Sequence, residues 1–287
     1  MCAEYCSIYT HKYASNAEAS RTLGRAVIVD GTGTIKSTNS VADAVRSEYY
    51  PIRLGNSLIN VVNKNKSGAY ITYLWVHQNE KTAIEAARIV HETKGGRLVV
   101  IEGQKPERLI CFDNNGKSYR FDPNRIYTIE GIVGTLNNYC GNGYSKADAE
   151  STRLVNKLAE VVKSSLLPNS PVLAVHNNVD FRSKNGKDFS ARSYLEDDEF
   201  IKQAKEVFIN DSEPDDFFLV THEQDFHYMR KKGYNTVLAR EHINDGSMSY
   251  YCGKMNIRYV NCEAIFGRLK KQIKMIEDAV IMLSRNA

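Results

Sequence analysis

Short apolar runs alternate along this chain with longer stretches in which apolar residues recur every three or four positions. Runs of four to eight apolar residues bounded by turn residues are the mark of strands, and the longer period is that of amphipathic helices. The runs predict strands at Ala26–Asp30, Ser57–Val62, Ala69–Val76, Arg97–Glu102, Arg108–Phe112, Val172–His176, Phe217–Thr221, Thr236–Arg240 and Ile257–Cys262. Most of the later ones are continuous Val/Ile/Leu/Phe with no polar alternation, as expected of strands covered on both faces. Helices are predicted at Glu80–Glu92, Ala147–Leu167 and about Ile265–Leu283. The first carries Ala83, Ala86, Ala87 and Val90 on one face and stops before Gly95-Gly96; the second stops at Pro168. In the third, Arg268, Lys270, Lys271 and Lys274 form a solvated face. The expectation is an α/β fold with a mixed, largely parallel central sheet flanked by helices on both faces.

Two segments fall outside this rhythm. Residues 1–44 read as an N-terminal extension, which leaves 45–287 as the main domain. Residues 180–198 are polar, contain Asn185-Gly186, and follow the Val172–His176 run almost at once. A long polar loop at the exit of a core strand is usually functional.

Composition narrows the classes. With 287 residues, 42% hydrophobic and 25% charged, the chain can bury one large core or two small ones. Its 38 basic and 34 acidic residues give a net charge of +4, and Lys and Arg are spread rather than gathered in a stripe, which argues against nucleic acid as the main partner. No apolar stretch approaches the roughly 20 residues of a membrane span. Met1 to Ser15 lacks the basic-then-apolar order of a signal peptide. The location therefore stays open: cytoplasmic by default, outside the cell by a non-classical route, or exported by a leader since removed. Six cysteines, none in a CxxC pair, argue against a thiolate zinc knuckle; their even number permits disulfides, and the plainer reading is free and mostly buried thiols.

Candidate chemistry begins at His77-Gln78-Asn79-Glu80, directly after the apolar run that ends at Val76. A histidine and a carboxylate three residues apart, where a strand gives way to a helix, can turn toward one metal ion. A second histidine, His176, also follows an apolar run. Two His and one Glu, with an open position for water, make a catalytic zinc set, and such groups collect at the carboxyl ends of strands in α/β sheets. The segment His222–His227 imitates a His-Glu-x-x-His motif with one residue too many. Its histidines would lie about 140° apart on a helix, and Thr221–Asp225 reads instead as a helix start with acidic first-turn residues. Gly31-Thr32-Gly33 reads as a turn. Between the candidate ligands lies Phe121-Asp122-Pro123-Asn124-Arg125-Ile126-Tyr127. Its amide and forked guanidinium, side by side, suit a carboxylate; the plainer reading is a turn opened by Asp122-Pro123, with Arg125 paired to a surface acid.

The order His77-x-x-Glu80, Asp-x-Asn124-Arg125, His176 and a late strand-end Glu resembles the zinc carboxypeptidases of the carboxypeptidase A type. It is equally similar to their deacylase relatives, the aspartoacylase and succinylglutamate desuccinylase group, whose HGNE resembles HQNE here. The resemblance spans roughly residues 50–270 as sparse motifs, with Tyr50–Asn56 resembling the family's entry hairpin. It implies a carboxypeptidase-like fold, zinc held by His77, Glu80 and His176, a substrate carboxylate held by Asn124 and Arg125, and Glu263 as general base. The competing reading of Glu263 is an acid at the start of the last helix. Asn79 stands where the carboxypeptidases often carry Arg, His176 is followed by Asn177-Asn178 rather than Ser, and the family's substrate-binding Tyr has only Tyr250 and Tyr251 as candidates.

The resulting expectation is a zinc-dependent metallo-hydrolase that cleaves an amide bond next to a carboxylate. It would be carboxypeptidase- or amidase-like and act on a small peptide, a cell-wall (peptidoglycan) peptide being one such substrate. The alternatives are an N-acyl amino acid deacylase, a non-catalytic carboxylate- or peptide-binding module on the same fold, and an α/β protein whose histidines are structural and far apart.

Overall fold

The computed structural model describes residues 28–29, 35–36, 44–103, 105, 107–178, 189–210, 213–240 and 243–285. The chain divides into two units, Met1–Ala44 and Val45–Ala287. In the first, β1 (Ile28–Val29) pairs antiparallel with β2 (Ile35–Lys36). The turn expected at Gly31–Gly33 lies outside the described residues, as do His11, Cys2 and Cys6.

The second unit is built on a nine-stranded sheet of β3 (Arg46–Leu54), β4 (Ser57–Lys66), β5 (Thr72–Trp75), β6 (Gly96–Glu102), β9 (Val172–Asn178), β10 (Ala204–Phe208), β11 (Phe217–Val220), β12 (Asn235–Ala239) and β13 (Tyr259–Ile265). A separate antiparallel hairpin joins β7 (Ile110–Asn114) to β8 (Lys117–Phe121). The helices are α1 (Lys81–Lys94), α2 (Ile129–Asn138), α3 (Ala149–Ser165), α4 (Ser193–Glu196), α5 (Asp198–Ile201), α6 (Glu223–Lys231), α7 (Met248–Lys254) and α8 (Leu269–Ser284). The strand order is β10-β12-β11-β13-β9-β5-β6-β4-β3. Its centre, β13-β9-β5-β6, is parallel, and so is the β11–β12 pair. Antiparallel pairs join β11 to β13 and complete both edges.

Two apolar layers cover the sheet. One packs α1, α6 and α8 against Tyr73, Leu98, Leu173, Phe218 and Val260. The other packs α2, α3 and α7 against Leu74, Val99, Ala174, Leu219 and Tyr259. The residue alternation of each strand feeds both layers, which is why β5, β11 and β13 are buried at every position. The mixed α/β sheet with helices on both faces is thus the observed architecture. No helix among the described residues is long and apolar enough to cross a membrane.

Several boundaries differ from expectation for physical reasons. The first strand of the site is Thr72–Trp75, not Ala69–Val76. The strand expected at Arg108–Phe112 begins at Ile110, so Arg108 sits in the loop before it. Ile265 is not the start of the last helix but the end of β13, held by ladder pairing to Asn178. His176 does not follow its strand; it lies inside β9, which runs on to Asn178. Two edge strands carry no apolar run: β3, exposed over its first six residues and expected only as the Tyr50–Asn56 hairpin, which its antiparallel pairing with β4 forms, and the unanticipated polar β10. An edge strand need not be apolar, and charges along it discourage pairing with other chains. The polar stretch after β9 contains α4 and runs into the start of α5, while its residues 180–188 lie outside the described set. The described cysteines Cys111, Cys140, Cys252 and Cys262 are free thiols.

One close approach positions the cleft. The loop before α7 is pinned to the start of α2: Thr128 Oγ1 caps the Gly131 amide at 3.0 Å and donates to Asn244 Oδ1 at 2.9 Å. Tyr127 N donates to Gly246 O at 2.9 Å. A Cβ on Gly131 would stand 2.3 Å from the Gly246 Cα, and Gly246 itself has a φ of +73°. We therefore expect Gly131→Ala to cost about 1–3 kcal/mol in urea unfolding, as overpacking does. An unchanged midpoint would mean that the two backbones do not meet.

Candidate metal centre

The turn from β5 into α1 places two of the three candidate ligands. Glu80 is the N-cap of α1, and Trp75 Nε1 donates to its carbonyl at 3.1 Å. The side chains of His77 and Glu80 therefore turn inward together. The third, His176, comes from the neighbouring parallel strand β9, whose position is locked from behind. Gln272 Nε2 of α8 donates to His176 O at 2.8 Å. Asn177 Oδ1 accepts from Ala83 N in the first turn of α1 at 2.8 Å.

His77, Glu80 and His176 each offer a ligand atom within 4.8 Å of the others, and all three are buried. The two imidazole rings lie 5.1 Å apart, centroid to centroid; histidines that were unrelated structural residues would not meet in this way. Both Nδ1 atoms face the same carboxylate: His77 Nδ1 is 2.8 Å from Glu80 Oε1, and His176 Nδ1 is 3.0 Å from Glu80 Oε2. Asp122 closes the far side of His77, with Oδ1 at 2.7 Å from Nε2. Asp122 is itself held as the N-cap of the short 3-10 turn Pro123–Arg125, accepting from Asn124 N.

This geometry bears directly on whether a cation fits. A neutral His77 would donate Nε2–H to Asp122 and turn the Nδ1 lone pair onto a carboxylate oxygen 2.8 Å away. Two acceptors cannot face each other at that distance unless a proton or a metal ion lies between them. Burial alone would lower the His77 pKa, but the Glu80 and Asp122 carboxylates outweigh it and raise it from 6.5 to about 9. Burial pushes both acids up, and their histidine neighbours more than reverse this, holding Glu80 and Asp122 below the ordinary carboxylate range. Two Nδ1 atoms and a carboxylate, with a second carboxylate fixing one imidazole from behind, suit a divalent ion such as zinc.

Arg108 was not singled out by its sequence context. From its loop, Nη1 donates to Glu80 Oε1 at 2.9 Å and Nη2 lies 3.5 Å from Asp122 Oδ2. Its side chain is half exposed, so it stands at the mouth of the site rather than within it. Glu263 lies beside His176 in the parallel register of β13 and β9 and is buried. As a strand residue it is not a helix-start acid. Burial pushes its carboxyl up, and Asn261 Nδ2 donates to its Oε1 at 3.0 Å.

These groups share a cleft of about 660 Å³ lined by Glu80, Arg108, Asp122, Asn124, Arg125, His176 and Glu263 among others. Arg125 is in the cleft, but its Nη1 is already paired with Asp245 Oδ2 at 3.0 Å. Tyr250 and Tyr251 do not line this space; Tyr139, Tyr194 and Tyr259 do. Tyr194 lies within the polar stretch after β9, on α4, and packs in an aromatic cluster with Phe189, Phe200 and Phe217. The exposed Asn79 takes no part. His222 is the N-cap of α6, and among the described residues neither it nor His227 joins a metal-binding group. His91 is buried against the Gly96 carbonyl, and His242 lies outside the described residues.

No protein-family model matches the sequence, and no curated protein matches it. Five solved chains do match in structure. One is an aspartoacylase family protein from Mesorhizobium loti, 14% identical, covering 86% of this chain and 69% of its own, with a TM-score of 0.42. Another, from Shewanella amazonensis, is described as a candidate metallopeptidase; it is 10% identical and covers 83% of this chain and 87% of its own, with a TM-score of 0.38. Likeness this distant carries no weight for function, which rests on the chain's own donor set.

Two outcomes are expected. Asp122→Asn should weaken zinc binding by about 10–100-fold in chelator competition, the usual effect of losing such a partner, while His77→Ala and His176→Ala should abolish stoichiometric binding. Full metal retention in both histidine variants would remove the site. In metal-stripped protein, the raised His77 pKa contributes stability that is complete below pH 6.5 and is lost as pH rises through about 9. The melting temperature of stripped protein should therefore fall across that window, and the fall should shrink when zinc is restored. A flat profile would mean that no imidazolium is held there.

Proposed function

We propose that the chain is a zinc-dependent hydrolase that cleaves an amide bond next to a carboxylate, in the manner of a carboxypeptidase or amidase. The observation that carries this reading is the convergence of His77, Glu80 and His176 at the head of a cleft that also holds Glu263, Arg108 and Arg125. Zinc held by those three ligands would polarise a carbonyl and bring the pKa of water toward neutrality.

The remaining work falls to the chain's own groups. Asp122 keeps the Nε2 proton of His77 in place, so that Nδ1 presents its lone pair. Glu263, a buried carboxylate with a raised pKa, takes a proton from water at its carboxylate and delivers it to the leaving amine. Arg108 faces the negative charge that grows on the carbonyl oxygen, where a fixed cation lowers the barrier. Asn124 and Arg125 orient the substrate carboxylate. Among the described residues the Arg125 fork has one partner, Asp245, which leaves its other nitrogens for that task. A cleft of about 660 Å³ suits a small peptide or an acylated amino acid.

Glu263→Gln is expected to retain zinc and lose about 10²–10⁴-fold in kcat on such substrates, the range for removing a general base. Unchanged rates would rule out the proton-transfer role. A protein that holds zinc yet turns over neither N-acyl amino acids nor short peptides would leave the metal site standing without the hydrolase.

A further inference from the structure

The cleft carries its charge unevenly. Among the described residues, six carboxylates and two arginines line it, and no lysine does. At the inner end, Glu80 and Asp122 are matched by imidazole and by Arg108. Further out, Arg125 is the one base, and Asp245, Glu130 and Glu199 share the space with it. Glu130 and Glu199 are exposed, so water and salt screen them. The Asp245 side chain is 20% exposed and holds Arg125 directly, with Oδ2 at 3.0 Å from Nη1. A carboxylate arriving alone would meet a guanidinium already neutralised, in a cleft with an excess of acid. A carboxylate accompanied by a cation meets no such penalty.

The pair has bonding capacity to spare, and its backbone is fixed. Asp245 Oδ1 accepts from Ser247 N, the N-cap residue of α7, at 3.0 Å. Together with Arg125 this uses only half of the carboxylate's lone pairs. Of the Arg125 fork, Nη1 alone is engaged among the described residues. Beneath the two side chains, Tyr127 N donates to Gly246 O at 2.9 Å, and a Cβ on Gly246 would stand 2.7 Å from the Arg125 carbonyl oxygen. A cation and an anion are thus set side by side at the cleft wall before any ligand arrives.

A guanidinium and a carboxylate in contact are the counterpart of an amino-acid zwitterion, whose ammonium and carboxylate hang from one carbon. Laid against the pair, the ligand carboxylate takes open N–H donors of Arg125 and the ammonium takes Asp245, so that four charges alternate around a ring. We propose that Arg125 and Asp245 together form a subsite for a free amino-acid end, α-ammonium with α-carboxylate, and that Asp245 is the residue that selects the ammonium. Because that α-nitrogen carries no acyl group, the amide presented to the metal centre lies on the side chain of the recognised residue. The cleavage of that amide rests on the hydrolytic reading of the same cleft; the binding does not.

Calorimetry on zinc-loaded protein compares norleucine with hexanoate, which lacks the ammonium, and with pentylamine, which lacks the carboxylate. Norleucine is expected to bind about tenfold or more tighter than either. Asp245→Asn keeps the shape and an acceptor for Ser247 N but removes the charge. It should weaken norleucine by about tenfold and tighten hexanoate, because Arg125 is then unshared. Hexanoate binding the wild type as well as norleucine does overturns the proposal without any variant. Loss of both ligands alike in Asp245→Asn also overturns it, since a mere brace for Arg125 gives that result. So does a norleucine preference that survives in Asp245→Asn, the mark of chelation at the metal. Turnover is read on Nε-acetyl-lysine, on its analogue without the α-amine, and on Nα-acetyl-lysine, with the first favoured by about tenfold in kcat/KM. A preference for Nα-acetyl-lysine would place the ammonium on the side chain and overturn the zwitterion subsite. Norleucine binding that depends on Asp245, with no turnover, upholds the subsite and removes the hydrolase; turnover without that selectivity removes the subsite alone.

Discussion

A carboxylate buried between two imidazoles must be matched by positive charge, and much of the molecule around Glu80 follows from that demand. A lone ionised carboxylate in such a place is prohibitively costly. Glu80 is compensated from several directions at once: by His77 and His176, by the Arg108 guanidinium, and by the amino end of α1, whose N-cap it is. Each partner comes from a different part of the chain, so the site exists only when β5, β9, α1 and the loop before β7 are in register. The hydrogen bonds running from Gln272 to the His176 carbonyl, and from the Ala83 amide in the first turn of α1 to Asn177 Oδ1, are the supports that hold this register.

The second carboxylate, Asp122, extends the logic. It takes the outer nitrogen of His77 and shares Arg108 with Glu80, so two acids and one histidine form a buried network that a half-exposed arginine caps at the mouth. In the absence of an ion, a proton on His77 closes it; a divalent cation can take that proton's place. Such a network is costly to leave half-satisfied, which makes the donor set a more specific signal than any of its members. The outer cleft obeys a different balance. Arg125 is neutralised in part by Asp245, so a substrate carboxylate meets a shared guanidinium, and orientation comes from the fork's geometry as much as from net charge.

Much of this was legible beforehand, for identifiable reasons. The strands β5 and β11, and β9 as far as Val175, are buried on both faces and so read as apolar runs, and β13 alternates apolar residues with Asn261 and Glu263; α1, α3 and α8 each carry one apolar stripe. The elements missed wholly or in part lack those signals. β3 and β10 are edges and tolerate polar residues. Gly131 and Gly134 interrupt the helical propensity of α2, and its first glycine is there for the contact with Gly246. The Asp122 carboxylate was in view as a turn residue, and it is one, since Asn124 N bonds to it; the same oxygen also holds His77. Tyr194 was in view only as part of the polar 180–198 stretch, and Arg108 had no local signal, because what places both in the cleft is distance across the fold.

By itself the sequence determined the elements with strong periodicity, the α/β class, and the small set of side chains able to bind a metal and move a proton. Those follow from local rules: burial dictates apolar runs, and a helix start dictates where an acid sits relative to the preceding histidine. Only the tertiary structure decided that His77, Glu80 and His176 converge, that Arg125 already has Asp245 as a partner, and that Glu263 lies beside His176 across the β13–β9 pairing. These are facts about residues far apart in the chain. Spacing along the backbone cannot fix a distance between two strands; hydrogen-bonded register and packing against both faces of the sheet do.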